Sequence, residues 1–149
     1  IKQFAKLGVQ LEVRATDYNQ FQDKVHKGKH QIFWWGWLAD YPDAENFMFL
    51  LYGPNAKSVS DGENTANYQD PEYDRLYEAQ RRLPDGPERL ALLQQMTRLL
   101  AAYMPYLLYL HRVRLDVAQP WVAGYARNPF TEVCWHLIDV DPAARAAAA

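Results

Sequence analysis

Two stretches near the start of the chain, VQLEVR at residues 9–14 and QIFWWG at residues 31–36, decide the predicted fold. In the first, apolar and polar residues alternate, which is typical of a half-buried strand. The second is almost continuously apolar, as in a strand that is buried on both faces. Between them, apolar residues have helical spacing after a candidate cap at Thr16 or Asp17. We therefore predict parallel strands bridged by a helix over residues 17–27, a right-handed βαβ unit.

The downstream sequence predicts two further helices with recognisable starts. Asp70 followed by Pro71 is typical of an N-cap with proline at the first helical position. Asp85 and Glu88 have the spacing of a capping box. Apolar residues then recur at helical spacing, so we expect residues 86–103 to form the longest helix.

Two later stretches, residues 106–115 and 132–140, are rich in residues that favour strands. Together with the βαβ unit and the helices, they predict a mixed α/β domain. The alanine-rich tail is expected to fray. The first residues, IKQFAKLG, have the pattern of the end of an amphipathic helix, and we expect the chain to be a portion of a longer protein.

Composition and charge exclude several classes of protein. The chain has 149 residues, enough for a hydrophobic core without disulfides or metal. Its formal net charge of −2 and the lack of a basic cluster exclude a nucleic-acid-binding protein, which needs a concentrated cationic surface. No run approaches the ~20 apolar residues of a membrane helix. Aromatic residues make up 14% of the chain, and such rings line binding surfaces as well as cores.

The sequence offers little support for catalysis or metal binding. Ser58 and Ser60 lie in a polar loop rather than in a nucleophile elbow. His26 and His30 are separated by Gly28, a helix-ending residue, which favours two surface histidines over a metal site. No glycine-rich phosphate-binding motif is present. We therefore predict that the protein is not an enzyme and has no catalytic residue, metal ligand or cofactor.

A group of acidic residues leaves one alternative open. Asp40, Asp43 and Glu45 lie close together in the sequence, and a hydrolase could use Asp40 with either of the others as an acid/base pair. Acidic residues at a helix start more often cap the helix and interact favourably with its dipole. Asp43 is accordingly assigned to the cap of the helix that follows it.

The residues that follow the second predicted strand form the candidate ligand site. In open parallel sheets, ligands bind beyond the carboxyl ends of the strands, where Gly36, Trp37, Leu38 and Asp40 stand. A flexible glycine, a large ring and a carboxylate suit the rim of a binding site for a polar solute. Trp35 belongs to the same candidate set, although core packing is the alternative for the tryptophans of this stretch.

Four segments, taken in order, resemble the oligopeptide- and dipeptide-type solute-binding proteins of ABC importers, bacterial extracellular family 5. The resemblance extends from Ile1 to about Val140 and concerns the C-terminal portion of such proteins. The segments are LGV at residues 7–9, GWLADYPD at residues 36–43, NYQDPEYD at residues 67–74 and PWVAGY at residues 120–125.

This resemblance implies a fold and roles for the candidate residues. The family fold has two α/β lobes around a buried ligand and a mixed sheet flanked by helices. Residues 1–114 would belong to the C-terminal lobe, and residues 115–149 would cross back toward the other lobe. Asp40 would accept the α-amino group of a peptide-like or other amine-bearing solute, and Trp37 would wall the pocket.

The resemblance also implies a cellular setting. The expected location is periplasmic or at the cell surface, and the expected partners are the solute and the permease subunits of an ABC transporter. With half of the cleft absent, the chain alone is expected to bind solute weakly and to self-associate through exposed apolar surface.

Overall fold

The computed structural model, described for residues 1–108, 110–128, 130 and 135–148, is mainly helical. Its helices are α1 (Lys2–Lys6), α2 (Tyr18–His26), α3 (Glu45–Met48), α4 (Lys57–Ser60), α5 (Pro71–Gln80), α6 (Pro87–Tyr103) and α7 (Pro142–Ala147). Short 3-10 turns cover Phe49–Leu51, Gly53–Asn55 and Trp135–Leu137. Strands β1 (Val122–Ala123) and β2 (Asp139–Val140) pair in antiparallel fashion.

Helix α2 forms where the sequence predicts it. The Asp17 side chain caps its start by accepting a hydrogen bond from the Gln20 backbone N–H at 3.0 Å. Gly28 follows its end with φ of 62°, a left-handed conformation that glycine adopts without steric cost. The helix predicted over residues 17–27 is therefore confirmed, and Asp17 is the residue that caps it.

The two segments that flank α2 do not form the predicted strands. Residues 9–14 and 31–36 have no strand assignment, and within the described part of the chain no backbone hydrogen bond joins them. Val13 and Trp34 are each 68% exposed. A strand needs a neighbour for its N–H and C=O groups, and the described residues supply none here. The parallel pairing does not hold, and the mixed sheet is not confirmed.

The later β-rich stretches give little sheet. The described residues of 106–115 contain no strand, so that prediction is wrong for them. Residues 132–134 lie outside the described part of the chain, and strand β2 covers only Asp139–Val140 of the second stretch. The pairing of β2 with β1 places Val122 opposite Val140.

The core lies between α5, α6 and the segment around residue 51. Its buried members are Leu51, Tyr73, Leu76, Tyr77, Leu93 and Met96. Helix α6 is the longest helix of the described chain, as predicted. Tyr73 is fully buried, and its hydroxyl donates a hydrogen bond to the Met48 carbonyl oxygen at 2.8 Å. This contact anchors the end of α3 to the core.

The starts of α5 and α6 differ in how they are capped. Asp70 accepts hydrogen bonds from the backbone N–H groups of Glu72 and Tyr73 at 2.9 and 3.2 Å, which confirms it as the N-cap of α5. The capping box predicted for α6 is wrong, because its N-cap is Gly86 and has no side-chain cap. The Asp85 carboxylate instead accepts a hydrogen bond from the side chain of a buried arginine one turn later.

We expect Asp70→Ala to lower the free energy of unfolding by about 1 kcal/mol, because two backbone N–H groups lose their acceptor. Chemical denaturation followed by circular dichroism measures this change. Asp23→Ala is the control, since its ion pair with Lys27 is exposed on both sides and contributes less than about 0.5 kcal/mol. Equal losses in the two variants would contradict the capping role of Asp70.

Candidate functional site

The segment from Gly36 to Asn46 carries most of the predicted ligand residues, and the Asn46 side chain organises it. Asn46 is 2% exposed. Its Oδ1 atom accepts hydrogen bonds from Trp37 Nε1 and from the Asp40 backbone N–H, each at 2.9 Å. Its Nδ2 atom donates to Asp40 Oδ2 at 3.1 Å. One buried amide therefore holds both the Trp37 ring and the Asp40 carboxylate.

The Asp40 side chain is accessible while it is held in this way. Asp40 is exposed, and within the described residues no hydrogen bond reaches its other carboxylate oxygen, Oδ1. The half-buried Trp37 ring packs edge-on against Phe49, with ring centroids 5.5 Å apart. The arrangement presents an anionic oxygen close to an aromatic ring, which suits a ligand that carries a positive charge.

The other predicted ligand residues lie in different surroundings. Trp35 packs against Phe21 and His26 of α2, with ring centroids 5.3 and 6.2 Å away. Gly36 lies beside Arg112, whose Nη2 atom would be 3.7 Å from a Cβ at position 36. Leu38 is exposed. The structure thus brings Trp37 and Asp40 together, and it places Trp35 against α2.

Asp43 has a structural role in this segment. Its Oδ1 atom accepts a hydrogen bond at 2.8 Å from the backbone N–H of Glu45, the first residue of α3. The N-cap of α3 is Ala44, without a side-chain cap, so the assignment of Asp43 as the cap is wrong, although Asp43 does bond to the start of the helix. The Asp43 Oδ1 atom also accepts from Arg89 Nη2 at 2.8 Å. The Arg89 hydrogen bond holds the pKa of the Asp43 carboxyl below its usual value.

Arg89 is buried on α6, and its guanidinium group donates hydrogen bonds to three other parts of the chain. Besides Asp43, it contacts Asp85 through Nη1 at 2.6 Å. Its Nε atom donates to the backbone oxygen of Gln80 at 3.3 Å and to the Gln80 side-chain oxygen at 3.1 Å. The guanidinium therefore ties the start of α3, the end of α5 and the α5–α6 loop to α6.

Both carboxylate oxygens of Glu45 accept hydrogen bonds, and this matters for the alternative that the protein is a hydrolase. The hydroxyls of Tyr41 and Tyr77 each donate a hydrogen bond to one of its carboxylate oxygens. Burial and the hydrogen bond to Glu45 raise the pKa of Tyr77. Asp40, Asp43 and Glu45 are thus each bonded to a different group, and the lowered pKa of Asp43 makes it a poor general acid. The geometry does not favour an acid/base pair.

A shallow depression lies beside the segment, but it is not the predicted site. Its volume is about 350 Å³, and its lining includes Asp43, Asp85, Arg89 and Leu93. None of the five predicted ligand residues lines it. In the residues that the structure describes, no group of three or more His, Cys, Asp or Glu is placed to hold a metal ion.

Sequence reasoning missed the two residues that organise the site. Asn46 stands inside a helical segment, where asparagine is disfavoured unless its side chain has another role, and this was an available signal. Arg89 gave no comparable signal, because its contact with Asp43 joins residues 46 positions apart. Only the folded chain reveals that contact.

Comparison with known proteins shows a similarity to one family. The family model described as "Bacterial extracellular solute-binding proteins, family 5 Middle" matches residues 1–59. The dipeptide-binding protein of Pseudomonas aeruginosa is 25% identical over 139 residues, covering 93% of this chain and 26% of the relative. The periplasmic oligopeptide-binding protein OppA of Salmonella typhimurium is 28% identical over 131 residues, covering 85% and 22% respectively. The chain is thus similar to family 5 of the bacterial extracellular solute-binding proteins, through the family model over residues 1–59 and through these relatives over most of its length.

The family 5 match includes the whole candidate site, since Trp37, Asp40 and Asn46 all lie within residues 1–59. Family 5 proteins are binding proteins rather than enzymes, and they have a periplasmic-binding-protein-like fold. The chain spans about a quarter of the length of the curated relatives it matches. No solved structure matches it. Among the helices of the described residues, none has the length and apolar character needed to span a membrane.

Proposed function

We propose that the protein containing this chain captures a peptide-like or other amine-bearing solute outside the cytoplasm and delivers it to an ABC importer. The observation that carries the proposal is the exposed Asp40 carboxylate, which Asn46 holds through one oxygen while the other has no hydrogen bond within the described residues. The similarity to proteins named as dipeptide- and oligopeptide-binding supports the class of solute.

The chemistry of the site fits the ammonium group of such a solute. A cation that enters a closed cleft needs a carboxylate partner, because an unpaired buried charge costs several kcal/mol. A carboxylate–ammonium hydrogen bond is also stronger than a neutral one. In the closed cleft, the Trp37 ring would limit access of water to Asp40 and lower the local dielectric, which would strengthen the attraction. Asp40 is the anchor and Trp37 the wall in this proposal.

Closure of the cleft requires protein surface beyond the described residues. We assign residues 1–114 to part of the C-terminal lobe and residues 115–149 to a segment that crosses toward the other lobe. Val113, Leu115 and Val117 support this assignment, because each is at least 87% exposed and needs an apolar neighbour. A hinge motion that the solute stabilises would then bury the Asp40 site and present a closed form to the transporter permease.

Calorimetry on the intact protein tests this function. Titration with di- and tripeptides is expected to give saturable heat with one peptide bound per protein, and mass spectrometry should recover the peptide unchanged. A hydrolase would convert the peptide and release products over time. Saturable binding followed by turnover would overturn the proposal in favour of an enzyme, and the absence of binding to any amine-bearing solute would overturn the solute class.

We expect the 149-residue chain alone to self-associate, because apolar side chains that the proposed second lobe would cover are exposed on it. Sedimentation velocity over a range of concentrations measures the association, with the intact protein as the control. A chain that stays monomeric at high concentration, while the intact protein is also monomeric, would contradict the assignment of these surfaces to an interface between lobes.

A further inference from the structure

Of the three neighbouring carboxylates, only Asp40 is both accessible and held by a neutral group. Asp43 is paired with the Arg89 guanidinium, which neutralises its charge. Both oxygens of Glu45 accept tyrosine hydroxyls. The partner of Asp40 is the amide of Asn46, which directs one oxygen without cancelling the negative charge. The charge of Asp40 therefore remains available to a cationic ligand.

The orientation of the Asn46 amide follows from its partners. Trp37 Nε1–H and the Asp40 backbone N–H are donors only, so the carbonyl oxygen of the amide must face them. The amino group then points to Asp40 Oδ2, which is an acceptor when ionised. All three hydrogen bonds are satisfied in this orientation, and a flipped amide would lose all three.

The position of Asn46 is itself set by the core. It lies in α3, whose first residue, Glu45, donates its backbone N–H to Asp43 and whose last residue, Met48, accepts a hydrogen bond from the buried Tyr73 hydroxyl. Asn46 is 2% exposed, so it does not contact bulk solvent. An asparagine anchored in this way transmits a fixed geometry from the core to the surface residue Asp40.

We infer that Asn46 is the positioning residue of the proposed amine site, where it orients the Asp40 carboxylate and the Trp37 ring for a cationic ligand. This inference rests on the proposed function, since it concerns the same site. Asn46 acts through Asp40 and Trp37 and does not touch the ligand. Its loss should therefore reduce the preference for a free amine more than it reduces binding in general.

The test compares a free-amine peptide with its N-acetylated form in the intact protein. The dissociation constant of the acetylated peptide divided by that of the free-amine peptide measures the part of the affinity that depends on the amine. We expect Asn46→Ala to reduce this ratio by about 10-fold or more, because the hydrogen bond that aims a charged acceptor is lost. If Asn46→Ala does not fold, Asn46→Ser gives the same comparison, since a shorter hydroxyl side chain cannot maintain all three contacts.

Asn64 provides the matched control. It is fully buried, and its side chain makes three hydrogen bonds, two to the backbone oxygens of Tyr52 and Tyr68 and one from the Tyr68 N–H. Asn64→Ala should therefore destabilise the protein comparably and leave the free-amine ratio unchanged. A merely structural role of Asn46 predicts equal ratios in the two variants, and that result would overturn the inference.

A second readout needs no ligand. The Trp37 indole N–H should exchange with solvent faster in Asn46→Ala than in the wild type or in Asn64→Ala, as measured by NMR. Unchanged exchange would overturn the geometric basis of the inference.

The binding results separate failure of the inference from failure of the proposed function. Suppose that wild type prefers the free amine and that Asp40→Ala abolishes this preference. If Asn46→Ala then retains the preference, only the role of Asn46 fails. If wild type itself shows no preference, the proposed function fails and the role of Asn46 falls with it.

Discussion

Asp40→Ala in the intact protein should weaken binding of a free-amine peptide by about 30- to several-thousand-fold. Under the proposed function, the ligand ammonium would then enter the closed cleft without its carboxylate partner, a loss that typically costs about 2–5 kcal/mol. Titration calorimetry with wild type and variant measures the change. The structure supports the size of this effect, because Asn46 already holds the carboxylate in place and little ordering remains to be done on binding.

N-acetylation of the peptide should produce the same loss in wild type, since it removes the other member of the pair. Acetylation and Asp40→Ala both delete one interaction, so the two losses should not add. Asp43→Ala is the comparison for a neighbouring carboxylate. It should lower stability, because Asp43 bonds to the Glu45 backbone N–H at the start of α3 and pairs with the buried Arg89, and it should leave the free-amine preference largely intact.

Two results would remove the anchor role of Asp40. One is an Asp40→Ala variant that binds the free-amine peptide as wild type does. The other is acetylation that weakens wild type and Asp40→Ala equally. Either result would leave the similarity to family 5 in place and the proposed ligand contact without support.

Arg89→Met should lower the free energy of unfolding by about 2–4 kcal/mol. The substitution keeps most of the side-chain volume, but it leaves the Asp43 carboxylate without its cationic partner and the side-chain oxygen of Gln80 without a donor. The estimate lies below the range for a fully buried ion pair, because the Asp43 side chain is 31% exposed and that of Asp85 is 92% exposed. Urea denaturation gives the measurement.

Arg75→Met is the matched control for a loss of arginine charge. Arg75 forms a two-point ion pair with Glu72, yet both side chains are more than half exposed, so the expected cost is at most about 0.5 kcal/mol. If Arg89→Met lowers the free energy of unfolding no more than Arg75→Met does, the hydrogen bonds of Arg89 do not stabilise the fold as we expect.

The effect of Arg89→Met should also depend on pH. The hydrogen bond from Arg89 lowers the pKa of Asp43 in the folded protein. A lowered carboxyl pKa stabilises the fold above the unfolded value of about 3.9, and this stabilisation is lost as pH falls through the folded value. The difference in stability between wild type and Arg89→Met should therefore narrow as pH falls below about 4. A difference that stays constant down to acid unfolding would contradict the Asp43–Arg89 linkage.

Helices α2, α5 and α6 could be predicted from the sequence because their signals are local. Asp17 and Asp70 cap backbone groups two to three residues away, and Gly28 ends α2 through its own backbone conformation. The segment that carries Trp37 and Asp40 was also recognisable, as a glycine, a ring and a carboxylate after an apolar run. Each of these features depends on residues that are neighbours in the chain.

Strands and caps that depend on distant partners could not be predicted in the same way. Residues 9–14 and 31–36 have the patterns of strands, but a pattern does not supply the neighbouring backbone that a strand requires. Asp85 has the spacing of a cap, yet its carboxylate bonds to the buried Arg89, because satisfying a buried guanidinium outweighs an exposed cap.

The sequence by itself determined helices α2, α5 and α6, the caps Asp17 and Asp70, the family resemblance and the candidacy of Asp40. The tertiary structure alone decided which residues hold that candidate in place. Asn46 bonds to Trp37 and Asp40 from a helix, α3, that the Tyr73 hydroxyl anchors to the core, and Arg89 on α6 meets Asp43 across 46 positions of sequence. The physical reason is that a buried polar group must find its partners in space, wherever the packed core brings donors and acceptors together, and sequence separation places no limit on that choice.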